Sequence, residues 1–158
     1  MRLSTTFRMT GLLAWLCVSL GYAYGQQPNG TASAIPSAQL LQPEELVQIL
    51  RSGGEKPLVF QVGPHVMFAE AHVPGSEYVG PGRETAGLAA LRDRVKTVSH
   101  DQVIVLYCGC CPWTKCPNVQ PAYEQLRSAG FGHVKVLYLA TNFGADWVSK
   151  GFPVEKSR

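Results

Sequence analysis

Apolar residues recur at Leu46, Val47, Ile49 and Leu50, a helical period over 43–51 that opens with Pro43 and two acids and stops at Gly53 and Gly54. Residues 58–62 then form a short unbroken run of β-branched and aromatic type, the pattern of a buried strand. One or two helical turns fit 66–71, before Val73, Pro74 and Gly75 break them. A loop rich in Gly and Pro over 75–82 leads into a helix over 85–98, and 102–107 carries the strongest strand pattern in the chain. A helix over 119–129 ends at Gly130, a third strand follows at 133–138, and a short last helix over 145–150 ends at Gly151. Strands separated by helices of this length predict βαβ units, hence an α/β three-layer sandwich with a parallel sheet flanked by helices. There is no internal repeat. Ligands in such sheets bind beyond the carboxyl ends of the strands, which singles out the loop after Tyr107.

Ahead of this body, Arg2 and Arg8 precede an apolar stretch, and Ala23 and Gly25 supply the small residues of a cut before Gln26. Residues 1–25 therefore read as a secretory signal. The apolar run is shorter than the ~18–20 residues a spanning helix needs, so no stable membrane insertion is expected after cleavage. Trp15 and Leu16 are too bulky to precede a lipidated cysteine, and Cys17 is expected to leave with the signal. Residues 26–39 have no apolar period and read as a flexible leader, with a sequon at Asn29. The remaining 40–158 make one domain, secreted or periplasmic, in a compartment where thiols oxidise. Hydrophobic residues at 46% and charged residues at 16% exclude wholesale disorder. Lys and Arg number 14 against 11 acids, and without Arg2 and Arg8 the count is 12 against 11. That is too neutral for a nucleic-acid partner held through phosphate neutralisation.

Four of five cysteines crowd into the loop after Tyr107: Cys108, Cys110, Cys111 and Cys116. A thiol at the start of a helix faces backbone N–H groups and the positive end of the dipole, which favour thiolate. Lys115 adds a cation, and the amides of a curled loop make a nest for negative charge. These are the requirements of a nucleophilic cysteine. Two structural disulfides are the plain alternative, but four cysteines in nine residues close almost no loop. Structural zinc sites draw paired ligands from two separated segments, and His65, His72, His100 and His133 show no ligand-like spacing. No metal ligand is assigned on this reading, although thiolates suit a soft ion such as Cu(I).

The chain resembles the rhodanese-like (sulfurtransferase) domain family over most of 43–155. Gln61-Val-Gly63 stands where that family has Asp-x-Arg, and Ala71-His-Val-Pro-Gly-Ser76 follows at the family's spacing. An apolar strand runs into Tyr107-Cys108, the family's position for its active cysteine. Leu126 with Gly130-Phe131, then Trp147 with Gly151-Phe-Pro-Val154, complete the order. The resemblance implies a sulfurtransferase without a cofactor. Cys108 would take a sulfane sulfur from a thiosulfate-like or polysulfide donor, hold it as a persulfide, and pass it to a thiophilic acceptor. Gly109, Cys110, Cys111, Pro112, Trp113, Thr114 and Lys115 would line the pocket. Its partners are then a small sulfur-containing anion and a thiol acceptor.

Several positions depart from the family. The loop is about four residues longer, and Lys115 replaces the usual Arg as its cation. Gln61 and Gly63 remove an ion pair, a change expected to touch stability rather than chemistry. Asn142-Phe143 replaces a Gly pair before Trp147. For the extra cysteines two readings stand. Cys110, Cys111 or Cys116 acts as a resolving thiol on a Cys108 persulfide. Alternatively, Cys111 and Cys116 pair in a disulfide that leaves Cys108 free, the reading that secretion favours. Phosphatase chemistry is excluded because no Arg stands six residues after any loop cysteine. Thiol redox chemistry, or sulfur or copper binding on the same scaffold, is the rival function.

Overall fold

The computed structural model describes residues 35–157. The signal segment, Cys17, the sequon at Asn29 and the leader up to residue 34 lie outside the described residues. Five strands form one sheet: β1 Leu40–Leu41, β2 Leu58–Gln61, β3 Glu77–Tyr78, β4 Ile104–Tyr107 and β5 Val134–Leu137. All pairings are parallel, in the order β1-β5-β4-β2-β3. The helices are α1 Pro43–Arg51, α2 His65–Glu70, α3 Thr85–Val95 and α4 Val119–Ser128. Among the described residues no helix is long and apolar enough to cross a membrane.

The expected α/β sandwich is present, with five strands rather than three. The two additional strands have two residues each, too few to show a period; β1 is defined by its register with β5 and β3 by its register with β2. The leader also ends differently from the reading: Ile35 is buried in the core and Ser37–Gln39 forms a 3-10 turn that leads directly into β1. α3 stops three residues early because the chain tightens there, with Val98 N–H bonding to Val95 O at 3.0 Å. The last helix is a single π-type turn, Gly144–Val148, closed by Ser149 N–H to Gly144 O at 2.8 Å. Asp146 Oδ2 holds its entrance, accepting from the amides of Thr141 and Asn142.

The period-2 alternation of β4 divides the core. Ile104, Leu106 and then Cys108 face the layer of α3 and α4, with Leu91, Val119, Ala122 and Leu126. Val105 and Tyr107 face the opposite layer, with Leu46 and Val47 of α1 and with Phe143 and Trp147. From β4 the chain proceeds to β5 on one side, and from β2 to β3 on the other. The carboxyl ends of β2 and β4 therefore meet at a switch point, where a crevice opens between diverging connections. Gln61 and Tyr107 are register partners at that edge, and the next residue after Tyr107 is Cys108.

Candidate active site

Cys108 is held from below by β2. Gln61, itself buried, donates from Nε2 to Cys108 O at 2.9 Å and accepts from Gly63 N–H at 3.2 Å. A Cβ on Gly63 would lie 2.6 Å from Cys108 O and 2.7 Å from Cys108 Sγ, so only glycine fits there. This corrects the expectation that the Gln61 and Gly63 departures bear on the scaffold alone, because both residues touch the nucleophile's own atoms. Gly109 then turns the chain at φ +87°, with its carbonyl accepting from Phe143 N–H at 3.0 Å. A side chain at Gly109 would be strained at that φ and would meet Phe143 Cβ at 3.0 Å.

The longer loop is folded rather than loose. Trp113–Lys115 forms a 3-10 turn, anchored by Trp113 N–H to Leu139 O at 3.0 Å. Trp113 is half-buried against the core, which makes it a cover for the loop. The turn returns Cys116 beneath Cys108, and Asn118 leads into α4. Asn118 is buried and links two segments: its Nδ2 donates to Cys108 Sγ at 3.3 Å and its Oδ1 accepts from Arg83 N–H at 3.2 Å.

The cysteines therefore gather around one sulfur. Cys108 Sγ lies 3.2 Å from Cys110 Sγ, and Cys110 Sγ lies 3.1 Å from Cys111 Sγ. The Cys116 thiol donates to Cys108, and this is the largest of the effects that bring the Cys108 thiol down to about 6. The Cys110 backbone N–H, the Cys110 thiol and Asn118 add to it, against an opposing cost of burial. Cys116 and Cys110 are pushed up in turn. For Cys116 the hydrogen bond with Cys108 leads, followed by burial; for Cys110 burial leads, followed by its thiol neighbours. Among Cys108, Cys110 and Cys116, ionisation is thus favoured at Cys108 and disfavoured at the two thiols that donate to it.

Several predicted roles shift. Thr114 and Lys115 are exposed, and neither is among the groups that act on the Cys108 thiol. The cation expected to favour thiolate is replaced in that role by S–H and N–H donors. The amides of Asn118 and Val119 at the start of α4 act on Cys116, one step behind the nucleophile. All four loop cysteines are free. Cys111 neighbours Cys110 while Cys116 neighbours Cys108, so the expected Cys111–Cys116 disulfide is not formed. Asn118 escaped the sequence reading. Its signal was a polar residue immediately before an apolar helix, which marks a helix start but not the sulfur it faces. His72 is a turn residue, donating from Nδ1 to Phe68 O at 2.7 Å and stacking on Phe68. Among the described residues a groove of about 530 Å³ is lined by Met67, Glu70, Phe143, Val148, Val154 and Lys156, and none of the loop cysteines lines it.

No protein-family model matches the chain, and no curated protein matches it. Solved structures do. The chain is similar to the BH2092 protein of Bacillus halodurans, at 24% identity and a TM-score of 0.57 over 73% of this chain and 75% of that one. It is also similar to the rhodanese-like domain of the Alr3790 protein of Anabaena sp., at 22% identity and a TM-score of 0.55 over 75% and 80%. A single-domain sulfurtransferase of Saccharomyces cerevisiae matches at 16% identity with a TM-score of 0.54, over 72% of this chain and 90% of that one. With its five-stranded parallel sheet and flanking helices, the chain has the rhodanese-like α/β fold.

Proposed function

We propose that the protein is a sulfurtransferase whose carrier is Cys108. The observation that carries the reading is the Cys108 thiol itself. It stands at the carboxyl end of a central strand and faces four hydrogen-bond donors, from Cys116, Cys110 and Asn118, that favour its thiolate near neutral pH. Such a thiolate is a nucleophile with no need of a separate base. With a thiosulfate-like donor, Cys108 attacks the sulfane sulfur, the donor's S–S bond breaks, and sulfite leaves with the bonding pair. The product is a persulfide on Cys108. An acceptor thiolate then attacks the outer sulfur, and Cys108 returns as thiolate. The donors that solvate the resting thiolate also serve the persulfide anion and the departing charge. A yeast sulfurtransferase with the same fold is consistent with this chemistry. The reaction takes place outside the cytosol, a placement that rests on the signal-like residues 1–25.

A second reading follows from the 3.2 Å contact between Cys108 and Cys110. The Cys110 thiol attacks the inner sulfur of the persulfide anion, its proton passes to the outer sulfur, hydrosulfide leaves, and a Cys108–Cys110 disulfide forms that a dithiol reductant must reopen. Sulfur transfer to cyanide separates the two. Wild type turning thiosulfate and cyanide into thiocyanate and sulfite, with Cys108→Ser inactive, supports transfer. Sulfide release with accumulation of the disulfide, and no thiocyanate, supports the second reading.

A further inference from the structure

The sulfurs of Cys108, Cys110 and Cys116 all lie within 4.8 Å of one another. Sulfur transfer needs one nucleophile, and a resolving step needs one partner. Three convergent thiols exceed both requirements. Their placement is also uneven. Cys108 is fixed at the end of β4 by Gln61 and Gly63, and Cys116 is buried at the entrance to α4. Cys110 is exposed on the turn that begins at Gly109. Two rigid ligands and one accessible ligand give an ion both a seat and a way in.

The donor set decides which ion. Among the described residues the group contains sulfur only, with no imidazole or carboxylate. All-thiolate sets select soft cations, and structural zinc normally takes four protein ligands where this cluster offers three. Metal–sulfur bonds of about 2.3 Å place three sulfurs around one ion about 4 Å apart. The three sulfurs lie within 4.8 Å of one another and Cys108–Cys110 is 3.2 Å, so the separations are of that size, and Cys110 is the exposed member of the set. Charge is provided for as well. The Cys110 amide and Asn118 Nδ2 point at Cys108, and the amides of Asn118 and Val119 act on Cys116. These N–H groups form the outer shell that an anionic thiolate complex requires.

We infer that Cys108, Cys110 and Cys116 form a three-sulfur site for a single soft monovalent d¹⁰ cation, of which Cu(I) is the biological representative. The site rests on the sulfur geometry and not on the transfer reaction. Because both use Cys108, bound ion and sulfane sulfur exclude one another.

The test is anaerobic titration of the full chain with Cu(I) against a chromophoric Cu(I) chelator, with X-ray absorption on the loaded protein. One Cu(I) per chain in a sulfur-only shell is expected. Cys108→Ser, Cys110→Ser and Cys116→Ser should each weaken binding by at least about 100-fold, more than loss of an outer-shell partner alone. Cys111→Ser should retain it within about threefold, since Cys111 lies outside the group. Cys110 is exposed, so its substitution leaves the core intact and the result stays interpretable if a buried variant misfolds. No tight binding, more than one ion per chain, nitrogen or oxygen in the shell, or affinity indifferent to Cys110→Ser would each overturn the site. Thiocyanate formation by the metal-free protein is measured separately. Its loss with Cu(I) binding intact counts against sulfur transfer and not against the ion site.

Discussion

The Cys108 thiol loses solvent on burial and regains more than that loss from Cys116, Cys110 and Asn118, which is why it falls to about 6. The balance is testable residue by residue. Cys116→Ala removes the largest contribution and should move the pH midpoint of Cys108 alkylation upward, towards that of an ordinary thiol. Cys116→Ser, which keeps a hydroxyl donor, should move it less, and Asn118→Leu should also raise it. Site-resolved iodoacetamide labelling across pH measures all three, and midpoints unchanged from wild type would refute the assignment. The same shift sets a stability profile. With its folded value near 6 and its unshifted value at 9, Cys108 ionisation stabilises the fold fully above pH 9, progressively less below, and not at all under pH 6. Urea midpoints of wild type and Cys108→Ser, under reducing conditions, should therefore diverge in favour of wild type as pH rises from 6 to 9. Cys110 and Cys116 shift the opposite way and turn against the fold only beyond that window.

Between elements, the contact that most constrains the site is β2 against the turn after β4. Gly63→Ala places a methyl against the carbonyl and sulfur of Cys108, atoms that cannot move aside as a flexible side chain would. It should cost about 1–3 kcal/mol, as overpacking does, and lower sulfur loading as well. Urea denaturation together with the loading assay would show both effects; a neutral result would mean that the strand end yields. This contact also marks the limit of what sequence conveys. β4 and Cys108 were legible because an unbroken apolar run announces a buried strand and the loop after it. Gln61 and Asn118 lie 47 and 10 residues from Cys108, and no period within their own segments reports a partner so far away. Lys115 suggested electrostatic support by proximity in sequence, but the 3-10 turn carries it to the surface. β1 and β3 went unread because their identity lies in register with β5 and β2 and not in their own residues.

Across the whole molecule, the sheet separates chemistry from support. Cys108 and Cys116 belong to the α3–α4 layer, while the α1 layer packs around Trp147, fully buried with its Nε1–H bonded to Pro153 O at 2.8 Å. Trp147→Ala should cost about 3–5 kcal/mol, read as a shift in the urea midpoint. Tyr107 joins the two layers, since its ring sits in the α1 layer one residue before the nucleophile. Burial pushes its hydroxyl up to about 12 and keeps it neutral, in contact with Val73 N–H and Ser76. The fold thus supplies a rigid edge and the cysteines supply the reactivity. The central claim, that Cys108 carries a sulfane sulfur, is tested most directly by intact and peptide mass spectrometry after thiosulfate treatment of the reduced, metal-free protein. The account predicts one added sulfur on the peptide containing Cys108, lost on addition of a thiol acceptor and absent from Cys108→Ser. Sulfur retained by Cys108→Ser, or no sulfur on wild type while its thiols are free, would contradict it.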